Sequence, residues 1–367
     1  MNDSIPVAEI QKPEVYTNLA TIQKIRSLEP IEGADKIELA KMEGLEWQVV
    51  VQKGLHKIGD SVCYIQIDTI CPEAPWSEFL RDRHFRVRTI RLRKQLSQGL
   101  IVPLRDIYSG DNNPGLFQQA GTDITIDSGV IKYEKPIPAN LRGKIRGSFP
   151  THLCPKTDEP RIQNCSRILE ELADVPVYIT VKMDGTSATY INHNGDGHVC
   201  SRNMDLKGPE ERTFHEQGEQ QAEKPNVYWE IEQRYDILNK LKLKGNYAVQ
   251  GEICGEGIQG NKIGLKGTDF FAFNVYNVDE HRYLNFHEFQ LFCNELGLKM
   301  VPVLEYSVIL TKRFDEVLLM ADGQYPNGTP REGIVIRPTI EQTSEVLKGE
   351  RASFKVVSNA FLLKYDE

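Results

Sequence analysis

Short apolar stretches punctuated by turn residues fill the first hundred residues of the chain. The series begins with VYTNLATIQKIRSLEP (residues 15–30). DKIELAKM (35–42) alternates apolar and polar positions, as a strand with one buried face does. WQVVVQKG (47–54), DSVCYIQI (60–67), FRVRTIRLR (85–93) and GLIVPL (99–104) follow, with Gly33, Gly54, Gly59 and Gly99 among them. Five or so short strands over about 90 residues predict a small β-barrel of the OB type.

From 106 to 150 the pattern loosens into SGDNNPG, PIPAN and GKIRGSFP, which are rich in turn residues. Beyond 151, strand and helix patterns mix. RILEELADV (167–175), FHEFQLFCNELGL (286–298) and RFDEVLLMADG (313–323) predict helices, and NVYWEIEQRYDILNKLKL (226–243) one longer amphipathic helix. YITVKMDGTSATYI (178–191) predicts a strand pair. YAVQGEICG (247–255), DFFAFNVYNV (269–278), EGIVIRP (332–338) and ASFKVVS (352–358) predict single strands. The expectation is an α+β second domain with antiparallel sheets. The domains expected are 1–125, a linker over 126–150, and 151–367.

Composition narrows the class. The 367 residues carry 44 basic and 52 acidic side chains, a formal charge of −8, so nucleic acid is expected on a local basic track and not over the whole surface. Seven cysteines lie scattered without a Cys-x-x-Cys pair, which excludes zinc-finger spacing and fits reduced thiols. The N-terminus lacks a basic start followed by an apolar run. No stretch approaches the ~18 apolar residues of a membrane span. A cytoplasmic protein, monomeric and without a membrane partner, is expected.

The candidate chemistry starts at Lys182-Met183-Asp184-Gly185, which ends the apolar stretch YITV. Alone it reads equally as a surface turn built on Asp-Gly. Other groups follow in order: Ser201-Arg202-Asn203, Gly251-Glu252, Phe271-Ala272-Phe273, Glu332-Gly333-Ile334-Val335-Ile336-Arg337, and Phe354-Lys355-Val356-Val357. A lysine with an ordinary pKa near 10.4 is protonated and cannot attack phosphorus, so its surroundings must make it neutral. A triphosphate needs its charge offset by cations and a metal, and acidic residues hold such a metal through its waters. Lys182, Glu252, Glu332 and Lys355 supply that set.

The ordered groups resemble motifs I, Ia, III, IIIa, IV and V of the covalent nucleotidyltransferase superfamily, which holds the ATP-dependent RNA and DNA ligases and the mRNA capping enzymes. The resemblance covers about residues 150–367. It implies an N-terminal OB-type β-barrel followed by a nucleotidyltransferase (ATP-grasp-like ligase adenylation) domain. By resemblance, Lys182 forms lysyl–AMP, and Asp184 contacts the lysine or the metal's water shell. Arg202 binds ribose or phosphate. Glu252 holds a ribose hydroxyl or the metal waters. Phe273 stacks on adenine, with Phe271 as its rival, Glu332 joins the metal shell, and Lys355 grips the α-phosphate. The chain ends 12 residues after Lys355, which leaves no room for the C-terminal OB domain of DNA ligases and capping enzymes. The barrel-first order resembles RNA ligases that seal nicks with RNA on the 3′-OH side. Phe149-Pro150 and the run from Pro155 to Asn164 also resemble that family and imply that Arg161 orients pyrophosphate.

Three activities remain in play: RNA ligation with ATP as AMP donor and Mg2+ or Mn2+, RNA binding by an inactive relative, and capping-type guanylyl transfer. Many ligases carry Lys-x-Lys in motif V; here the second position is Val357, and Lys364 is the next lysine, an expected RNA or phosphate contact. In the first domain, RDRHFRVRTIRLRK (81–94) carries seven basic residues against one Asp. Arg86 with Arg88, and Arg91 with Arg93, are expected to share strand faces that follow a phosphate backbone. His84 and Phe85 are expected to add stacking. The expected partner is RNA, as a nicked duplex, free ends or an RNA–DNA hybrid.

Overall fold

The computed structural model describes residues 16–108, 119–134, 144–209 and 226–365. The chain divides into two compact units, Met1–Lys135 and Pro136–Tyr365. No helix among the described residues is long and apolar enough to cross a membrane.

The first unit is organised by the strand Ala20–Pro30. Its first half pairs antiparallel with Ser61–Ile65, and its second half with Ile37–Met42, with a register shift between Ile25 and Ser27. A shift of this kind bends a strand, and the five-stranded sheet curls about the core. Gln48–Gln52 and Leu100–Pro103 complete that sheet at its two edges. Ile22, Ile25, Trp47 and Tyr64 are almost wholly buried there. This curled five-stranded unit is the expected OB-type architecture.

FRVRTIRLR is not one strand. Arg86–Val87 pairs with Thr69–Ile70, while Thr89–Leu92 pairs with Gln95–Gln98 as a separate hairpin. Arg93 and Lys94 form its two-residue turn, both with positive φ (48° and 68°). Such a turn matches the right-handed twist of a two-strand ribbon. Arg93 therefore sits on the turn and does not share a strand face with Arg91, contrary to expectation. Residues expected as linker take part in both units. Ile131–Lys132 pairs with Thr69–Ile70, and Ile145–Ser148 pairs with Met204–Leu206.

The second unit contains a seven-stranded and a four-stranded antiparallel sheet. The larger runs in the order Ile145–Ser148, Met204–Leu206, Asp196–Ser201, Thr186–His193, Tyr247–Gly255, Thr268–Asn277, Arg282–Tyr283. The smaller runs Val303–Val308, Val177–Lys182, Gly333–Pro338, Phe354–Val357. Val177–Val181 is buried at every position, as the apolar run predicts for a central strand. The next strand, Thr186–His193, belongs to the other sheet, so the chain crosses between sheets at Lys182-Met183-Asp184-Gly185.

The expected long helix over 226–243 is two helices, Val227–Tyr235 and Ile237–Lys244. Asp236 breaks them in a left-handed conformation (φ 52°). Its carboxylate accepts from the Asn239 side chain at 2.7 Å, and Glu232 accepts from the Leu238 N–H at 3.4 Å, the latter taking up a backbone donor that the break exposes. RILEELADV forms one short helix, Ile168–Glu171.

Polar side chains also join the sheets inside the unit. Arg337, 2 % exposed, donates to Glu159 (2.8 Å), Ser353 (2.9 Å) and the Phe273 carbonyl (3.4 Å). Arg351 pairs with Glu341 (Nε–Oε2 2.6 Å) and donates to Asn274 (2.9 Å). Asn274 in turn reaches Gln250, which donates to the Pro155 carbonyl at 2.8 Å. Both branches end on the segment 155–159, which is thereby pinned to the sheets.

Replacing Arg337 with Met should destabilise the protein by about 3–5 kcal/mol, because the Glu159 carboxylate loses its buried partner. The pH dependence has a definite sign. Burial pushes the Glu159 carboxyl up, but Arg337 and Arg351 outweigh it and hold it below the ordinary 4.5. That contribution to stability is fully present above about 4.5 and is lost as pH falls through the depressed folded-state value. Denaturant unfolding across pH 3–7 should show a steeper acid loss in the parent protein than in Glu159→Gln.

Candidate active site

Strand register sets the centre of the site. Lys182 lies opposite Gly333, so Glu332, which precedes Gly333, is brought beside it. Lys182 Nζ donates to Glu332 Oε1 at 2.5 Å, and both side chains are mostly buried. Tyr325 fastens the two backbones: its hydroxyl donates to the Lys182 carbonyl at 3.0 Å and accepts the Glu332 N–H at 3.2 Å.

The crossover turn brings in the next carboxylates. Asp184 lies within it, 7 % exposed. Thr186–His193 pairs with Tyr247–Gly255, Ser187 opposite Glu252. Gly185 packs so closely that a Cβ there would lie 2.3 Å from the Ile253 carbonyl oxygen and 2.8 Å from Glu252 Cγ. Glycine at this turn is what lets the lysine strand approach the Glu252 strand.

Charge follows from that crowding. Burial alone would lower the Lys182 pKa, but Glu332, Glu252 and Asp184 outweigh it and raise it, so the ammonium is the resting form. Burial pushes the Glu252 carboxyl up to about 8; Glu332 and Asp184 add to the shift, while Lys182 and Arg202 oppose it. Among the described residues, no three His, Cys, Asp or Glu side chains converge as direct metal ligands.

Other expected residues gather in smaller groups. Lys355 lies opposite Val335, bridges Arg161 through the backbone, and donates its N–H to the Pro160 carbonyl at 2.8 Å. Asp158 accepts from Arg202 at 2.8 Å and lies 3.8 Å from Lys355 Nζ, so one carboxylate neighbours both cations. Phe271 and Phe273 pack with Val181, Met183, Cys254, Ile263 and Tyr325 as an apolar wall. Phe271 is opposite Glu252, while Phe273 has the Arg337 guanidinium 6.0 Å from its ring centroid. Val357 is buried opposite Gly333. Lys364 is exposed on the helix Asn359–Tyr365, 5.3 Å from the Tyr365 ring.

Three residues that the motif pattern did not assign belong to these groups: Tyr325, Asp158 and Lys262. The last pairs with Asp184 at 2.9 Å. Asp158 lies inside a segment whose resemblance to a family is visible in sequence; the other two carry no sequence signal.

In the first unit, Arg86 pairs with Asp68 at 3.0 Å and stacks over Tyr133, 3.7 Å from its centroid. Arg88 is partly buried, while Arg91, Arg93 and Lys94 are exposed. Phe85 is buried with Arg81 against its ring, 5.2 Å from the centroid, so the expected stacking surface is already covered; His84 is exposed.

Comparison with known proteins agrees with both units. An RNA ligase family model matches residues 175–357, and an OB-fold domain model matches 19–104. The structure of Naegleria gruberi RNA ligase with PPi is 36% identical, with a TM-score of 0.78, over 95% of this chain and 98% of that one. A lysine-to-alanine mutant of that ligase with ATP and Mn is 35% identical over the same shares, also with a TM-score of 0.78. A glutamate-to-alanine mutant with AMP and Mn is 36% identical over 94% and 98%, with a TM-score of 0.77. No curated protein sequence matches.

Substituting Gly185 with Ala should destabilise the protein by about 1–3 kcal/mol, since the added carbon meets backbone that must shift. Denaturant unfolding checks this, with the open-turn variant Gly195→Ala as a control, where no atom lies within 4 Å and only the positive φ of 85° opposes the methyl.

Proposed function

The chain belongs to the ATP-dependent RNA ligase family, and from that premise we propose that it repairs RNA by joining a 5′-phosphate to a 3′-OH, with RNA on the 3′-OH side. The observation that carries the reading is the Lys182–Glu332 pair, set among Asp184 and Glu252 by segments far apart in the chain.

In the first step Lys182 Nζ attacks the α-phosphorus of ATP. The Nζ–P bond forms, the bond to the β-phosphate oxygen breaks, and pyrophosphate leaves. The amine must first lose its proton, and Glu332 Oε1 at 2.5 Å is the atom placed to hold it. A Mg2+ or Mn2+ ion, held through its waters by Asp184, Glu252 and Glu332, would supply positive charge against the phosphates. Lys355 and Arg202 grip the transferred phosphate, and Arg161 orients the leaving pyrophosphate through its planar guanidinium. Phe273 stacks on adenine, with Phe271 as the alternative platform beside it.

In the second step a 5′-phosphate oxygen of the RNA attacks the lysyl–AMP phosphorus and frees Lys182. In the third, the 3′-OH attacks the activated end and expels AMP. The barrel unit contacts RNA through its exposed cations Arg91 and Arg93, with Arg86 and Arg88 nearer the fold's interior, while Lys364 supplies a contact on the other unit. All seven cysteines are free and buried, which supports a reducing, cytoplasmic setting.

Incubation with α-labelled ATP and Mg2+ or Mn2+ should leave label on the protein. Lys182→Ala should lose it by at least about 1,000-fold. Absence of label on the parent protein would favour RNA binding without catalysis, and labelling by GTP would favour guanylyl transfer. Phe273→Leu should raise the ATP concentration for half-maximal labelling several-fold, and more than Phe271→Leu does. Nicked duplexes with RNA or DNA on each side of the break then define end preference.

A further inference from the structure

A second lysine reaches the carboxylate group from a separate loop. Lys262 Nζ lies 2.9 Å from Asp184 Oδ2, and the two side chains are only 12 % and 7 % exposed. The same ammonium faces two rings of the helix Asn359–Tyr365, at 5.1 Å from the Phe361 centroid and 4.9 Å from that of Tyr365. Aromatic faces attract a cation without neutralising it, so the charge is guided towards the site and remains a charge.

The loop that carries Lys262 has an unusual backbone. Gln259, Gly260 and Asn261 follow one another with φ of 47°, 70° and 48°. Glycine accepts this region freely and asparagine tolerates it, but for glutamine it costs of order 1–3 kcal/mol. Surrounding bonds hold the shape. The Asn261 side chain accepts from the Leu265 N–H (3.1 Å) and donates to the Leu265 carbonyl (2.8 Å). Asn327 and Thr329 both donate to the Lys262 carbonyl, at 3.0 and 2.6 Å. Strain kept in place by anchors on both sides fixes where the Lys262 side chain starts.

Charge shows what that position is for. Asp184 and Glu332, with Glu252 beside them pushed up to about 8 by burial, crowd the place where a polyphosphate must come, and like charges repel strongly in a partly buried site. On the adjoining strand, Val357 stands opposite Gly333 and offers no cation. We propose that Lys262 is a phosphate-contacting residue of the nucleotide site that exchanges partners: it covers Asp184 before nucleotide arrives, then turns to the phosphates and releases Asp184 to the metal's waters. The inference rests on the AMP-transfer reading of the same site.

The test compares the full-length protein with Lys262→Met, which keeps an unbranched stem but loses the charge, and with Lys262→Arg. Calorimetry measures ATP binding, and separately the binding of Mn2+ without nucleotide; thermal unfolding monitors the fold. Lys262→Met should weaken ATP binding about tenfold or more and tighten Mn2+ binding severalfold, because Asp184 loses its covering cation. Lys262→Arg should lie between Met and the parent protein in both. Unchanged ATP affinity in Lys262→Met would overturn the proposal. So would parallel weakening of ATP and Mn2+ with a large fall in melting temperature, which marks a structural clamp. Failure of the parent protein to retain label from ATP sinks the AMP-transfer reading instead, and the binding measurements still decide whether Lys262 meets the phosphates.

Discussion

One rung of one β-ladder carries the site: Lys182 opposite Gly333. Side chains alternate across a strand, so a slip of one residue would turn Lys182 to the opposite face and take Glu332 away. The apolar run Val177–Val181 protects that register, because every position is buried and a shifted strand would lose its packing. The Tyr325 hydroxyl reinforces it by bonding the backbone of both residues. The Lys182 ammonium is thus positioned by backbone and core, before any ligand is considered.

The same constraint explains why the carboxylates come from distant segments. Leaving its first sheet directly after Lys182, the chain enters the second, where Glu252 waits on the next strand. Gly185 permits the close approach. The arginine network secures the remaining side: through Glu159 and Pro155 it holds the segment that presents Asp158 and leads into Arg161. Buried ionic groups of this kind are poor contributors of net stability but strongly resist losing one partner. Their value here is geometric.

Much of this was legible in the sequence, and the exceptions have physical causes. Lys182, Glu252, Glu332 and Lys355 stand out because their chemistry demands particular residue types next to particular strands. Period-two patterning located most of those strands. It could not show the break at Asp236, since apolar positions continue on both sides of a one-residue reversal. Nor could it separate Arg91 from Arg93, because a two-residue turn interrupts the alternation without a glycine to mark it. Tyr325 and Lys262 were invisible for another reason. Their bonds join residues 143 and 78 positions apart, and no local pattern encodes such a meeting.

The resting charge balance has a consequence for the ligase reaction. Four of the cations assigned to the nucleotide have a carboxylate neighbour: Lys182 beside Glu332, Lys262 beside Asp184, and Arg202 with Lys355 around Asp158. Phosphates that draw these cations away leave carboxylates exposed to one another, which is costly in a buried site. A divalent ion relieves that repulsion, and the ion itself is favoured once the competing ammonium groups have moved. With the roles proposed above, nucleotide and metal strengthen one another's binding by the same factor, since linkage between two equilibria is reciprocal. On this reading the acidic character of the pocket does not oppose a polyanionic substrate. It makes productive binding conditional on the metal, and keeps the lysine charged and unreactive until both have arrived.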